Sequence, residues 1–355
     1  MSPTAQPTAE RRAAYAAELA QGTDRFHEPR RSDCPWCGSE RLRTRLRTSD
    51  LRRRRPGTFV VDECGDCAHA FQNPRLTAEG LAFYHRDLGE NAHESLAERL
   101  LGARAATGRH LAAARAMLPF PEPESWLDVG TGHGHFPEAA KEVHPYTSFD
   151  GLDPTRRVER ARAAGRVEEA HVGRLTDPPV IERLRARYDV VSMFHHLEHT
   201  PDPREELRAA LALLRPGGHL LVEVPDPDCV FGALLGKWWV AHGQPSHLHL
   251  MPLPNLLGEL ESLGCLIVAT DRREPHIPHD LSGALALALG RALPGLDAPW
   301  RPAPPTPVQR TVRQALTRAS VPLLASTAAL DRLMAPLLSR TRFSNAYRVI
   351  ARRDA

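Results

Sequence analysis

From residue 126 onward, short apolar strands alternate with helical segments, and this alternation constrains the fold more than any other feature. An amphipathic helix, REELRAALALL, lies between two strands and stops at RPGG, and a second, PNLLGELESLG, ends at Gly264. Strands separated by helices predict a parallel, doubly wound α/β sheet. The predicted strands are SWLDVG, YTSFDGLD, YDVVSMF, HLLVEVP, CLIVATD and, closing the chain, NAYRVIARR.

The turn after the first of these strands is rich in glycine. LDVGTGHGHF, residues 127 to 136, places Gly130, Gly132 and Gly134 between a buried strand and a helix that begins near Pro137. Glycine is needed where the backbone turns sharply or approaches a ligand closely. The pattern G-x-G-x-x-G of dinucleotide sites fails because residue 135 is histidine. Nineteen residues after Gly134, Asp153 stands at the tip of the next strand, where a carboxylate can accept hydrogen bonds from two ribose hydroxyls.

With these motifs in order, residues 75 to 275 and the last strand resemble class I S-adenosylmethionine (SAM)-dependent methyltransferases, which have a Rossmann-like seven-stranded sheet. LDVGTGHG resembles the first motif of that family, GLDP the second, YDVVSMFHHLEHTPDP the fourth strand, and LRPGGHLLVEVPD the fifth. The resemblance implies that Asp128 lies near the methionine amino group of SAM and that Asp153 binds its ribose. The other cofactor-binding residues it implies are Gly130, Thr131, Gly132, Gly134 and Phe194. A nucleotide-binding fold with other chemistry, or with none, remains the alternative.

Histidines crowd the region where a methyl acceptor is expected to bind. His195 and His196 follow the fourth strand, and His247 lies in PSHLHL, where look-alike enzymes have a histidine beside the acceptor. Histidine titrates near neutrality and suits a general base, so oxygen is the favoured acceptor atom, with carbon or nitrogen as alternatives. Tyr84 resembles a tyrosine that closes such sites, and helix packing is its alternative role. Trp238 and Trp239 cap the pocket or pack in the core.

A divalent metal beside these histidines is a further alternative. Relatives that methylate catechol-like hydroxyls have a pattern similar to E-x-x-E-H, whereas this chain has His195, Glu198 and His199. The histidine in the first position argues against magnesium, since imidazole suits zinc or iron better. Capping and packing at a helix start are the favoured roles of Glu198 and His199.

Four of the six cysteines form two C-x-x-C pairs, Cys34 with Cys37 and Cys64 with Cys67. This spacing predicts a structural Zn²⁺ site with four thiolates and no open coordination position. Gly38 and Gly65 stand where the turns of such knuckles commonly have glycine. CGDCAHAFQNPR resembles the end of a zinc module that precedes many small-molecule methyltransferases. Free thiols are the alternative.

Eight arginines lie between the cysteine pairs, in RLRTRLRTSDLRRRR. Strict alternation predicts that Arg41, Arg43, Arg45 and Arg47 share one face of a strand. Only two of the 46 basic residues in the chain are lysine, so arginine clusters carry less weight than usual. A solvated hairpin face is favoured over an acidic partner such as a phosphorylated substrate, a carrier protein or RNA. Nucleic acid is disfavoured because few aromatic residues accompany the arginines.

These motifs divide the chain into a tail (1–30), a zinc module (31–75), a SAM-binding domain (76–277 and 341–355) and a helical insert (278–340). The insert is apolar, which favours a lid or homodimer surface over contact with a membrane, and an apolar or aromatic small-molecule acceptor. The opening residues lack a signal peptide, and no run of about 18 uncharged apolar residues occurs. We therefore expect a cytoplasmic enzyme without a transmembrane helix. An RNA methyltransferase and a non-catalytic zinc or SAM-binding protein remain the rival functions.

Overall fold

The computed structural model describes residues 8–86 and 107–354 and divides the chain into two compact units. The first, here called the cysteine unit, comprises Met1–Arg86, Val230–Leu248 and Ile277–Leu338. The second, here called the sheet unit, comprises Asp87–Cys229, His249–His276 and Ser339–Ala355. The cysteine pairs and the helical insert, predicted as separate domains, therefore belong to one unit. Apolar residues recur at helical spacing from residue 94 to residue 118 and predict a helix, whose first part lies outside the described residues.

The sheet unit is built on seven strands, which confirms the predicted fold class. Strands are numbered along the whole chain, and three strands of the cysteine unit come first, so the seven strands of this sheet begin at β4. Their spatial order is β10-β11-β8-β7-β4-β5-β6, with β11 antiparallel to both of its neighbours and the other neighbouring pairs parallel. The strands are β4 (Ser125–Val129), β5 (Ser148–Asp153), β6 (Ala170–Val172), β7 (Tyr188–Phe194), β8 (Leu214–Pro225), β10 (Cys265–Asp271) and β11 (Ala346–Arg353). The strand order reverses at β4, where open α/β sheets bind ligands beyond the carboxyl ends.

Helices cover this sheet through apolar faces. Helix α6 (Pro203–Leu213) begins at an N-cap. The side chain of Asp202 accepts hydrogen bonds from the main-chain nitrogens of Arg204 and Glu205 at 3.0 and 3.1 Å. Trp126, Phe136 and Phe149 pack together in the core. The helices are α3 (His135–Ala140), α4 (Arg157–Ala163), α5 (Pro178–Leu184), α6 (Pro203–Leu213) and α8 (Leu253–Ser262), and the unit also contains the short strand β9 (His249–Leu250) and a 3-10 turn at Leu197–His199.

The cysteine unit combines a small antiparallel sheet with helices. Its strands β1 (Leu42–Thr48), β2 (Phe59–Cys64) and β3 (Ala70–Gln72) pair in that order. Aromatic residues form its core, including Tyr15, Phe26, Phe83 and Trp300. The helices are α1 (Thr8–Ala20), α2 (Ala78–His85), α7 (Val230–Leu235), α9 (Asp280–Ala292) and α10 (Pro307–Leu338), with 3-10 turns at Asp24–Phe26, Gly236–Trp238 and Val240–His242.

Helix α10 differs from the expectation that no helix could cross a membrane. By length and composition alone it could do so, and only 6% of its most apolar 18-residue window is buried. The expectation rested on the absence of about 18 consecutive uncharged apolar residues, whereas the apolar 18-residue stretch of α10 contains no more than two charged residues. Length and composition are weak evidence for a span, because core helices of soluble proteins satisfy the same criteria.

Candidate active site and cysteine cluster

The loop after β4 has the backbone that its glycines predict. Gly130, Gly132 and Gly134 have φ values of 75°, 54° and 74°, in the left-handed region that residues with a side chain rarely adopt. A Cβ atom on Gly130 would lie 2.9 Å from Nδ1 of His196, so the loop and this histidine are in close contact. A Cβ atom on Gly134 would likewise lie 2.9 Å from Ala161, whereas one on Gly132 would meet only a carbonyl at 4.0 Å, so the loop is closely packed on one side and open at Gly132.

Asp153 joins this loop to the end of β5. One carboxylate oxygen accepts from the main-chain nitrogen of Gly132 at 3.0 Å, and the other accepts from that of Thr155 at 2.8 Å and from its hydroxyl at 2.5 Å. The carboxylate is buried. Two oxygens offer about four lone-pair sites in total, so the carboxylate retains some capacity to accept from a bound sugar. The structure thus brings together the two loops predicted to hold the cofactor.

Asp128, the acid at the end of β4, is almost completely buried. Burial raises its pKa to about 7, against a smaller opposing effect of the hydrogen bond donated by the Ser192 hydroxyl at 2.8 Å. The same Ser192 oxygen accepts from the indole nitrogen of Trp126 at 2.9 Å. This chain fixes the carboxylate beside the glycine loop, where it can bind a cation.

The carboxyl end of β7 presents the predicted histidines. The ring of Phe194 packs against Phe136, with 4.4 Å between ring centroids. His195 has a φ of 50° and donates its main-chain N–H to the carbonyl of Glu223 at 2.9 Å. A left-handed histidine is strained, and the surrounding structure holds it there. His196 turns toward the glycine loop, and its Nε2 lies 3.3 Å from a carboxylate oxygen of Glu206.

His195 and Glu198 form a hydrogen-bonded pair. Nδ1 of His195 lies 3.1 Å from Oε1 of Glu198, whose side chain is fully buried, while the His195 side chain is 34% exposed. Burial alone would lower the pKa of His195, but the hydrogen bond and charge of Glu198 outweigh burial and raise it above its ordinary value. A carboxylate at Nδ1 favours the tautomer with its proton there, which leaves Nε2 able to accept a proton.

A second buried ion pair, between Arg348 and Glu223, lies next to His195 and was not predicted from the sequence. Arg348 of β11 donates to Glu223 of β8 at 2.6 Å and to Glu274 at 2.8 Å, and Arg348 is almost fully buried. Glu223 also raises the pKa of His195 through its charge. The only sequence signal was a charged residue in the middle of the apolar run AYRVIA.

Two other predicted residues belong to the cysteine unit. The hydroxyl of Tyr84 donates to the carbonyl of Pro56 at 2.6 Å inside the aromatic core, which agrees with the packing alternative. Burial raises its pKa to about 12. His247 directs Nδ1 to the carbonyl of Ala241 at 2.8 Å. The catalytic roles of Tyr84 and His247 stay predictions.

The two tryptophans that were expected to cap the pocket or pack in the core have different environments. Trp239 is buried, and its indole nitrogen donates to Asp280 at 2.8 Å, so this residue packs in the core. Trp238 is half-buried, and the ammonium of Lys237 lies 5.1 Å from its ring centroid. Both residues belong to the cysteine unit.

The four predicted cysteine ligands form one cluster. Their sulfur atoms all lie within 4.8 Å of one another, with 3.7 Å between Cys34 and Cys67 and 3.5 Å between Cys37 and Cys64. These separations exceed a disulfide bond and match the edge of a ZnS₄ tetrahedron, roughly 3.8 Å for Zn–S bonds of about 2.3 Å. The cluster therefore fits a tetrahedral metal ion.

The knuckle turns show one difference from prediction. Gly38, which follows the first cysteine pair, has a φ of 75° as expected. The corresponding left-handed residue after the second pair is Ala68, at 56°, and not Gly65. Gly65 was the expected residue because glycine adopts the left-handed conformation at the lowest cost in free energy.

The arginine hairpin departs from strict alternation. The pairing of β1 with β2 shifts between Thr44 and Leu46, so a bulge interrupts the face that Arg41 to Arg47 were predicted to share. Arg43 is exposed beside Glu63, while Arg45, which also pairs with Glu63 at 3.2 Å, is mostly covered.

The arginines that follow the strand are not all solvated. Arg55 is buried, donates to the carbonyls of Tyr84 and Arg86, and stacks on the ring of Trp300 at 4.8 Å. Asp50 shapes the turn by accepting from the main-chain nitrogens of Arg52 and Arg53. Part of the run is therefore structural, contrary to the expectation of a solvated face.

The fold and the glycine loop define an open α/β domain with a candidate ligand site at its strand ends, and comparison with known proteins shows what it is similar to. Residues 99–270 match the family model described as "Methyltransferase domain". This part of the chain is therefore similar to methyltransferase domains. The four clustered cysteines lie outside the matched residues.

Individual proteins are also similar to parts of this chain. Ubiquinone biosynthesis O-methyltransferases from Alkalilimnicola ehrlichii and Cronobacter sakazakii are 29% and 35% identical over 126 and 127 residues, which is 35% of this chain. The chain spans about half the length of these relatives, 51% and 52%. Among solved structures, a SAM-dependent methyltransferase from Mesorhizobium loti is 19% identical with a TM-score of 0.40, covering 70% of this chain and 100% of its own.

Proposed function

We propose that the protein transfers a methyl group from SAM to an oxygen atom of a small molecule, with His195 as general base. The observation that carries this proposal is the His195–Glu198 pair at the end of β7, in the same unit as the glycine loop and Asp153. A base with a buried carboxylate behind it is the arrangement that proton removal from a hydroxyl requires.

The residues present fit SAM. The loop is open at Gly132, where a Cβ atom would meet only a carbonyl at 4.0 Å, and buried carboxylates stand at the ends of β4 and β5. Asp153 would accept from the ribose hydroxyls, and Asp128, once ionised, would attract the ammonium of the methionine part. When bound, SAM supplies a methyl group activated by its positively charged sulfur.

The chain's own contribution is to orient the acceptor and to take its proton. Glu198 holds Nδ1 of His195 and stabilises the imidazolium that forms when Nε2 accepts the proton. Because Glu198 raises the pKa of His195, the base accepts a proton more readily but is neutral over a smaller part of the neutral pH range. The curated relatives named above are O-methyltransferases, which supports oxygen over carbon or nitrogen as the acceptor.

The cysteine cluster has a structural role in this proposal. Four thiolates at tetrahedral separations would hold Zn²⁺ without an open position, so the ion would stabilise the cysteine unit and take no part in methyl transfer. Main-chain N–H groups of Trp36 and Asp66 point at the sulfurs of Cys34 and Cys64, both at 3.4 Å, and would offset their negative charge.

A label-transfer assay tests the proposal. Protein is incubated with methyl-labelled SAM and panels of phenols, catechols and aliphatic alcohols, with amines as comparison. We expect label in an O-methyl product, loss of turnover in His195→Ala, and normal turnover in His219→Ala, a half-buried histidine where β8 pairs with Val190, away from the carboxyl end. Label in amines alone, or full activity of His195→Ala, would contradict the proposed base.

A further inference from the structure

We propose that helix α10 is a docking surface for anionic lipid membranes, a role beyond methyl transfer. Eight large apolar side chains along it are 42–78% exposed, and six of them form what is here called the apolar stripe: Val312, Leu316, Leu323, Leu330, Leu333 and Leu337. Four of these leucines recur at seven-residue intervals, so they stay on one side of the helix with a drift of about 20° per step. The stripe extends for roughly 38 Å, at 1.5 Å per residue.

The other faces of α10 are a packed face and a face that carries exposed arginines. Asp331 is buried and accepts from the main-chain nitrogens of Leu281 and Ser282 at 3.1 and 2.9 Å, so this face packs on the start of α9. Arg310, Arg318 and Arg332 are exposed and lie on the opposite side from the stripe or near its edge. A helix with one apolar face and a basic face has the pattern of an interfacial membrane helix.

An arginine cluster adds positive charge in the same unit. Burial, and then the charges of Arg291, Arg313 and Arg301, lower the pKa of Arg54, so these three guanidinium groups lie near enough to Arg54 to act on it electrostatically. Their hydrogen-bond partners include uncharged carbonyls, since Arg54 donates to Leu293 at 3.1 Å and Arg301 to Leu296 at 3.0 Å. The cluster includes Arg313 of α10, which is within one turn of Val312 and Leu316.

The acidic residues of Ile277–Leu338 do not offset this charge at the stripe. The segment contains six arginines and three aspartates. Asp280 binds the indole of Trp239, Asp297 binds Arg12 at 2.5 Å, and Asp331 is buried. The exposed charge on α10 is therefore positive, which complements phosphate-rich lipid surfaces.

A second copy of this chain fits the stripe less well. A contact roughly 38 Å long and one helix wide, about 10 Å, would bury roughly 800 Å² over both copies, below the approximately 1,000 Å² expected of a stable dimer. Crossing the membrane is disfavoured by buried Asp331 and by the face that packs on α9. The helix would thus lie along the lipid surface.

Vesicle co-sedimentation of the full chain tests this inference. We expect binding to vesicles of equal parts phosphatidylglycerol and phosphatidylcholine, weak binding to phosphatidylcholine alone, and release by high salt. Leu323→Glu with Leu330→Glu should weaken binding by about ten-fold or more. Leu234→Glu, at a leucine of α7 that is 68% exposed, is the matched control and should bind normally. Circular dichroism of each variant establishes that it is folded.

Two results would overturn the inference. The first is failure of the wild-type protein to bind the anionic vesicles, or equal binding by the double variant. The second is a mass in light scattering of twice 39.3 kDa that falls to 39.3 kDa in the double variant without any vesicle binding, which would assign the stripe to a second copy. SAM affinity is measured in parallel and should be the same in all folded variants.

Discussion

Substitution of Gly130 by alanine should damage the cofactor loop through two separable effects, backbone strain and a close contact, and the chain offers two controls for the strain alone. Gly130 has a φ of 75°, and a Cβ atom there would lie 2.9 Å from the His196 ring. Gly165 has nearly the same φ, 71°, and a Cβ atom there would meet no other atom within 4 Å. Gly132 has a φ of 54° and only a carbonyl at 4.0 Å.

The expected loss of stability follows from these values. Alanine in the left-handed region costs about 1–2 kcal/mol, and the smaller entropy of the unfolded chain returns about 0.4–1 kcal/mol. By the same principles, Gly165→Ala and Gly132→Ala should lower the free energy of unfolding by about 1 kcal/mol. Gly130→Ala also displaces His196, whose ring is 3.3 Å from Glu206, and should lose about 1–2 kcal/mol more. The total for Gly130→Ala is about 2–3 kcal/mol.

Urea unfolding, followed by tryptophan fluorescence, measures the stabilities, and isothermal titration measures SAM affinity. We expect Gly165→Ala to bind SAM as the wild type does and Gly130→Ala to bind at least about ten-fold more weakly, which is about 1.4 kcal/mol. If Gly130→Ala matched Gly165→Ala in both stability and SAM affinity, the close approach of His196 to the loop would have no energetic consequence and the reasoning would be refuted.

Three further predictions follow from the same sites. The pKa of Asp128 is about 7, so its carboxyl group is neutral below that pH. SAM affinity measured by titration should therefore fall as the pH falls through 7, and Asp128→Asn should abolish this dependence. A pH-independent affinity would argue against a charged contact. Because Glu198 raises the pKa of His195, the rise of kcat with pH should move to lower pH in Glu198→Gln with unchanged SAM affinity; an unmoved profile would remove Glu198 as the positioning residue. Metal analysis should find one zinc per chain, lost in Cys64→Ser and kept in Cys229→Ser, and metal-free wild-type protein would contradict the zinc site.

The sequence predicted those features that depend on local pattern. Alternating strands and helices specify a parallel sheet, and the observed order of seven strands agrees with that expectation. The glycines after β4 and the acid after β5 were expected to meet because carboxyl ends of parallel strands share one edge, and Gly132 does donate to Asp153. The three-residue β6 was missed because so short a strand has little periodicity to detect.

Features that depend on distant parts of the chain could not be read from sequence. The burial of Arg55 requires the carbonyls of Tyr84 and Arg86, about thirty residues away, and the ring of Trp300. The grouping of the helical insert with the cysteine pairs likewise depends on contacts such as the hydrogen bond that the Trp300 indole donates to the carbonyl of Arg53. Local periodicity carries no information about which segments such side chains will reach.

The buried partner of His195 illustrates the same limit within the active site. Glu198 follows three residues later, a spacing that equally suits a cap, and only the fold shows its carboxylate 3.1 Å from the imidazole. Arg348 and Glu223 lie 125 residues apart and meet because β11 pairs with β8. Register between strands distant in sequence decides such pairs.

Calorimetric titration of SAM into the wild-type protein and into Asp153→Ala tests the central claim most directly. Saturable binding of one SAM per chain is expected for the wild type, with affinity at least about ten-fold weaker in the variant, since a hydrogen bond to a charged group contributes about 1.5–3 kcal/mol. Folded wild-type protein that gives no binding heat, or a folded variant with unchanged affinity, would contradict the assignment of the loop and of Asp153 to the cofactor.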